Sequence, residues 1–273
     1  MVCISDITKE IRKNIYKIAH HAGCGHLASA FSAADIVATL YFCGVLHYDP
    51  KNPDWKDRDI FILSKGHACY ALYAALAMAG YFSKAELRMA GQPGALLGGE
   101  PKLGDIPGVE ATTGSLGHGL SFAVGIAYAD KVEKRKNHIY VLLGDGECQE
   151  GSVWEGALSA PTLELDNLTA IIDYNKLQAM DTLENVVRMN PFAEKWQTFG
   201  WNVIEIDGHD PTQIKEALLT RTGGRPTVVI AHTVKGKGIS FMENVPIWHY
   251  RMPNNMELPI LMKELGLVEA ELA

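Results

Sequence analysis

The first regularity along the chain is helical. Ile7, Ile11, Ile15 and Ile18 recur at steps of three and four among charged residues, so they share one face of an amphipathic helix that Gly23 can end. "SAADIVATLYF", from Ser32 to Phe42, predicts a second helix that is apolar over more of its surface and therefore more deeply buried. Asp49 to Asp57 is polar and turn-rich, and "RDIFILS" then predicts a short buried strand leading through Gly66 into a helix from about His67. Residues 91–119 hold nine glycines and three prolines, too many for regular structure, and predict a long loop of the kind that is functional or disordered. Beyond it the pattern becomes regular. A helix near 118–135, strand "HIYVLL", a helix near 151–163, strand "LTAIID", a short helix near 191–199, strand "NVIEI", helix "PTQIKEALLT" and strand "TVVIAH" follow in turn.

Strands that are continuously apolar and β-branched, alternating with helices, imply an α/β fold with a parallel sheet covered on both faces. No internal repeat or low-complexity linker divides the chain, so a single domain over 1–273 is expected. In such sheets ligands bind beyond the carboxyl ends of the strands. Asp145 and Asn175 each stand just past a strand of this kind.

Composition narrows the class. With 273 residues, 47% of them hydrophobic, the chain can bury a core large enough to need no metal or disulfide for stability. A formal charge of −7 argues against a broad electrostatic grip on nucleic acid or an anionic membrane. Five scattered cysteines without a C-x-x-C spacing point to free thiols in a reducing compartment. The first helix lacks the apolar run of a signal peptide, and no stretch reaches the roughly 18 apolar residues of a membrane span. A cytoplasmic protein is expected.

The chemistry starts at "GDGECQEG". Loops leaving two neighbouring parallel strands face one crevice, so Asp145 and Asn175 can converge although 30 residues separate them (175 − 145). A carboxylate and an amide oxygen form a hard-oxygen set suited to Mg²⁺, which commonly takes one or two protein carboxylates together with phosphate oxygens. Gly144 and Gly146 would let backbone approach a diphosphate, and the helix that follows offers free N–H groups. The competing reading is an ordinary Gly-Asp-Gly turn with Asn175 as a cap.

"GDG" with Asn about thirty residues on resembles the thiamine diphosphate motif, and the flanking text resembles the N-terminal part of transketolase in its form split over two polypeptides. "GCGHLASAFSAADIVATLYF", "RDIFILSKGHA", "PGVEATTGSLGHGLSFAVGIA", "LLGDGECQEGSVWEGAL", "WNVIEIDGHD" and "HTVKGKGISFMENVPIWH" carry the likeness collinearly over nearly the whole chain. The resemblance implies a thiamine diphosphate-binding fold. It implies Mg²⁺ held by the side chains of Asp145 and Asn175 and the carbonyl of Leu177, with Gly144, Gly146, His67 and the loop Gly114, Ser115, Leu116 around the cofactor. It implies His26 and His249 at the substrate, handling protons or hydroxyls, and Glu150 and Glu155 communicating between paired active sites. The pyrimidine-binding half and its C-terminal companion are expected on a partner chain, in an α2β2 assembly that transfers a two-carbon ketol unit between sugars or sugar phosphates.

Two positions depart from the family. Glu100 stands where the family usually has a histidine that bonds the donor, and Tyr250 stands where a glycine often follows its His; together they imply a non-standard substrate. Glu100 could instead swing to solvent on a mobile loop. Lys235 and Lys237 either approach the phosphates or form a solvated basic loop. Trp154, Trp196, Trp201 and Trp248 read as core or interface aromatics, and His20, His21, His47, His118, His138, His209 and His232 are assigned no catalytic part. The rival readings are the α-type chain of a 2-oxo acid dehydrogenase, a chain like deoxyxylulose-phosphate synthase, and a noncatalytic diphosphate binder. A Rossmann dehydrogenase is disfavoured because "GSLGHG" is not G-x-G-x-x-G and follows no convincing strand.

Overall fold

The computed structural model describes residues 3–272. Helices α1 (Ile4–Ala22) and α2 (Leu27–Phe42) precede strand β1 (Ile60–Leu63), and α3 (Cys69–Ala79) follows it. After the glycine-rich stretch come α4 (Gly119–Val132), β2 (Ile139–Gly144), α5 (Gly151–Thr162) and β3 (Leu168–Tyr174). The chain continues through α6 (Leu183–Val186), α7 (Phe192–Thr198), β4 (Asn202–Asp207), α8 (Pro211–Leu219), β5 (Thr227–His232) and α9 (Leu258–Leu265). The five strands are all parallel, in the order β1-β2-β3-β5-β4.

That order explains where a ligand can enter. The chain steps from β1 to β2 to β3 in one direction, then jumps to the far edge and returns, so the direction of winding reverses between β3 and β5. Right-handed crossovers then place helices on opposite faces for the two halves. One core contains residues of α1, α2, α3, α8 and α9, and the other contains residues of α4, α5 and α7. Helix α2 is buried at every position but Phe42 because it packs against α1, α3 and α8 as well as lying over the sheet. Register sets the strand ends level: Leu63 opposes Leu142, Gly144 opposes Asp173, and Tyr174 opposes His232. The residues just beyond those ends therefore share one rim.

Some details differ from the sequence pattern. The helix expected from about His67 begins as a 3-10 turn over Gly66–Ala68 before α3 takes over at Cys69. The helix expected to reach 135 stops at Val132, and Lys134 adopts a positive φ of 57°. The charged run there offers no apolar face to bury, so nothing holds a further turn. Helices α6 and α9 carried too little periodicity to be read. Residues 91–118 contain no helix or strand, yet the stretch is anchored rather than disordered. Thr113 Oγ1 donates to the Leu63 carbonyl at 2.7 Å, Cys69 Sγ donates to that of Gly99 at 3.1 Å, and Leu97, Ile106 and Val109 join the core. Trp196, Trp201 and Trp248 are buried, as expected of core aromatics. Among the described residues no helix is long and apolar enough to cross a membrane.

Candidate functional site

At the end of β2, Asp145 is 2% exposed. Its Oδ1 accepts from the N–H of Gly146 at 2.7 Å and its Oδ2 from that of Lys176 at 2.5 Å, which joins the loop after β2 to the loop after β3. On that second loop Asn175 Oδ1 accepts from Leu177 N–H at 3.1 Å, turning the backbone so that the Leu177 carbonyl accepts from the Lys235 ammonium at 3.0 Å. Burial, and then the charge of Asp173, push the Asp145 carboxyl up to about 6. A carboxylate in that setting is one that a cation stabilises.

The cations beneath the rim are themselves buried. Lys65, at the end of β1, is 1% exposed and pairs with fully buried Asp173 at the end of β3. Asp173 also accepts from Ser32 Oγ at 2.6 Å and from the Thr233 hydroxyl. Burial alone would raise Asp173, but Lys65 and these hydroxyls hold it below the ordinary carboxylate range. Lys235, 2% exposed, is lowered to about 8 by burial and by the charge of Lys65. Lys235 is thus part of the rim and not a solvated loop cation, whereas Lys237 is partly exposed beside Glu243.

Three histidines distant in sequence meet over this rim. Ring centroids are 5.5 Å apart for His26 and His67, 5.2 Å for His26 and His249, and 5.7 Å for His67 and His249. Burial followed by the lysine charges lowers all three, His249 to about 3 and His67 well below its usual value. All three are therefore neutral near pH 7. Lys235 Nζ lies 3.0 Å from His249 Nδ1, so the ammonium donates to that nitrogen and leaves the ring proton on Nε2. His26 and His67 open onto a cavity of about 200 Å³ whose wall includes Cys24, Tyr70, Glu100 and Tyr250. Glu100 stands on its wall with the carboxyl packed against Gly66 and Gly114, and the desolvation of that carboxyl raises it to about 7. Tyr250 lies against His26 with centroids 4.7 Å apart. A larger cavity of about 560 Å³ lies elsewhere, lined by Tyr174, Lys176, Phe192 and His232 among others, and no expected site residue opens onto it.

The rim fits a metal diphosphate. Its oxygens from Asp145, Asn175 and Leu177 are the hard donors Mg²⁺ takes, and two buried ammonium groups suit phosphate charge. Beside Gly146, Gln178 Nε2 is buried without a partner, a donor lacking an acceptor. A Cβ at Gly66 would come within 2.9 Å of the Gly114 backbone, so the wall approaches more closely than any side chain permits. No cluster of three or more His, Cys, Asp or Glu side chains poised to hold a metal occurs among the described residues.

The family model described as "Transketolase, thiamine diphosphate binding domain" matches residues 5–268. The chain belongs to the transketolase family. It is a transketolase-type subunit, a transferase, and its domain binds thiamine diphosphate. The chain is 38% identical to a subunit of the apulose-4-phosphate transketolase of Phocaeicola vulgatus, over 93% of this chain and 91% of that one. It is 40% identical to the 6-deoxy-6-sulfo-D-fructose transketolase subunit SqwG of Clostridium sp. strain MSTE9, over 96% of this chain and 94% of the relative. Transketolase from Leishmania mexicana superposes with a TM-score of 0.91 at 29% identity, covering 98% of this chain and 42% of that structure. The chain thus spans less than half of the solved transketolase, and the word "subunit" in the names of both relatives implies a partner chain.

Within this transketolase fold, the residues expected at the cofactor fall into one place. Asp145, Gly146, Asn175 and Leu177 adjoin one another on the rim, and Gly114 lies against Gly66, next to His67. Gly144 ends β2, and Ser115 and Leu116 continue the loop from Gly114. Glu155 does not join them, and Glu150 only borders them, beside Gly117 at the start of α5; both are exposed. Lys65, Asp173 and Glu147 were missed in the sequence. The available signal was a charged residue at the carboxyl end of an otherwise apolar strand, as in "IFILSK" and "LTAIID".

Proposed function

We propose that this chain is the diphosphate-binding half of a two-chain, Mg²⁺-dependent transketolase that moves a two-carbon ketol unit from a ketose or ketose phosphate to an aldose. The observation that carries the reading is the meeting of His26, His67 and His249 beside Lys235, whose ammonium also reaches the Leu177 carbonyl on the loop that carries Asn175. Asp145, Asn175 and the Leu177 carbonyl would hold the metal, while Gly146 N–H, His67 and the Gly114–Leu116 loop would receive the diphosphate. Thiamine diphosphate, when bound, would supply the electron-accepting ring chemistry that two-carbon transfer needs. The chain's own contribution is binding, orientation and proton traffic. His249, with its proton on Nε2, can donate to a sugar hydroxyl, and neutral His26 can accept from one. The exposed α5 face with Glu150 and Glu155 would meet a further chain in an α2β2 assembly. The five free cysteines support a cytoplasmic location.

The test is co-expression with the chain carrying the pyrimidine-binding half, followed by a donor and acceptor screen with and without thiamine diphosphate and Mg²⁺. Transfer is expected only when the two chains, cofactor and metal are all present. Full-rate transfer by this chain alone would overturn the two-chain reading.

Glu100 bears on the substrate. A carboxyl with a pKa about 7 at the cavity wall donates a hydrogen bond when protonated and repels anions when ionised. The kcat/KM for the donor is expected to step with an apparent pKa near 7 in the assembled complex, and Glu100→Gln is expected to flatten that step. Turnover of xylulose 5-phosphate with ribose 5-phosphate at an ordinary transketolase rate would remove the case for a different substrate.

A further inference from the structure

We infer that Glu147 is a positioning residue for the cofactor site, a carboxylate that fixes the 114–118 loop against the Gly144–Gly146 turn. The inference rests on the cofactor reading above and adds a residue to it. Glu147 is 2% exposed, and three segments donate to it. Its Oε1 accepts from Ser64 Oγ at 2.5 Å, just past β1, and from Gly117 N–H at 2.9 Å. Its Oε2 accepts from Gly144 N–H at 3.0 Å, the last residue of β2. Ser64 Oγ in turn accepts from Gly119 N–H at 3.2 Å, the first residue of α4. From the other side Ser152 Oγ donates to the Gly117 carbonyl at 2.9 Å, so Gly117 is held at both its N–H and its C=O.

The chemistry of the gap asks for an acceptor-only group. Two backbone N–H groups and a hydroxyl converge on the buried carboxyl, and an ionised carboxylate takes all three, whereas an amide would turn its NH₂ toward at least one of them. The segments are too close for a larger spacer. A Cβ at Gly117 would come within 2.7 Å of Glu150 Cβ, and one at Gly119 would overlap the Ser64 side chain. What the latch spaces apart is functional. Gly114, Ser115 and Leu116 lie just before Gly117, and Asp145 and Gly146 lie just after Gly144. Releasing Glu147 therefore lets the two expected walls of the diphosphate site move relative to each other, while both sheet and helices keep their cores.

The experiment is calorimetric titration of thiamine diphosphate with Mg²⁺ into the assembled two-chain complex, beside thermal melting of the cofactor-free complex. Four proteins are compared: wild type, Glu147→Gln, Ser64→Ala and the double variant. Glu147→Gln is expected to raise the cofactor Kd by about 10-fold or more, the scale seen when an outer partner of a ligand set is removed. Ser64→Ala is expected to raise it about threefold, and the double variant to match Glu147→Gln, because both substitutions open the same latch. An unchanged Kd in Glu147→Gln overturns the inference whether or not its melting temperature falls, since a merely structural role would move only the latter. Should Glu147→Gln fail to assemble, an unchanged Kd in Ser64→Ala overturns it equally. A wild-type complex that binds no thiamine diphosphate would overturn the cofactor reading itself, a different outcome from a variant that binds as wild type does.

Discussion

Asp173→Ala is expected to destabilise this chain by about 3–5 kcal/mol, the usual consequence of removing one member of a buried ion pair. The carboxylate it deletes is fully buried and takes donors from Lys65, Ser32 and Thr233. Without it the Lys65 ammonium, 1% exposed, keeps only the Ser29 carbonyl at 3.3 Å. For a chain of this size the melting temperature is expected to drop on the order of 10 °C. Replacing both partners with apolar residues, Lys65→Met with Asp173→Leu, is expected to recover much of the loss, because the cost comes from the charge left unpaired and not from the missing attraction. The pH dependence has a definite sign. Asp173 is depressed in the folded chain, so its stabilisation is present above the ordinary carboxylate value near 4 and is lost as pH falls through the lower folded value. Acid unfolding of the wild type below about pH 4 is therefore expected to be steeper than that of the apolar double variant. Thermal melts across pH 2.5 to 7 (a range chosen to bracket about pH 4) measure this, and parallel curves for the two proteins would refute it.

The second large effect is on the cofactor. Asp145→Ala is expected to weaken binding of thiamine diphosphate by at least about 100-fold in the assembled complex, beyond the 10–100-fold that loss of an outer partner costs. Asp145 is the sole carboxylate among the three oxygens assigned to the metal, and burial with the neighbouring Asp173 raises it to about 6. Backbone N–H groups of Gly146 and Lys176 offset part of that cost, and a bound cation would offset more of it. Asn175→Ala is expected to fall in the same direction with a smaller effect, since a neutral amide oxygen is lost. Calorimetry with Mg²⁺ held in excess distinguishes lost metal affinity from lost diphosphate contacts, because high Mg²⁺ partly restores the first and not the second. Unchanged cofactor affinity in both variants would remove the metal diphosphate reading.

The α/β class, the parallel sheet, the run of alternating elements after 118 and the placement of Asp145 and Asn175 past strand ends were legible because each depends on local periodicity and turn chemistry. Gly23 ended α1 in the left-handed conformation, with φ 70°, as a C-terminal glycine does. The exact reach of α4 was not legible, because a helix end in a charged segment is set by what packs beside it. The histidine cluster was legible only through the resemblance: nothing in the spacing of His26, His67 and His249 announces a common site.

What the sequence by itself determined is the set of elements, their order and the two loops that carry an acid and an amide, since hydrophobic period and glycine turns act over a few residues. Tertiary structure alone decided which charges are buried. Lys65, Asp173 and Lys235 become interior because strand order and register bring the ends of β1, β3 and β5 level with α2 beside them, and Glu147 because Ser64, Gly117 and Gly144 close round it. The environment of a charge is a property of segments far apart along the chain, and it is that environment, through desolvation and pairing, that gives each of these residues its work.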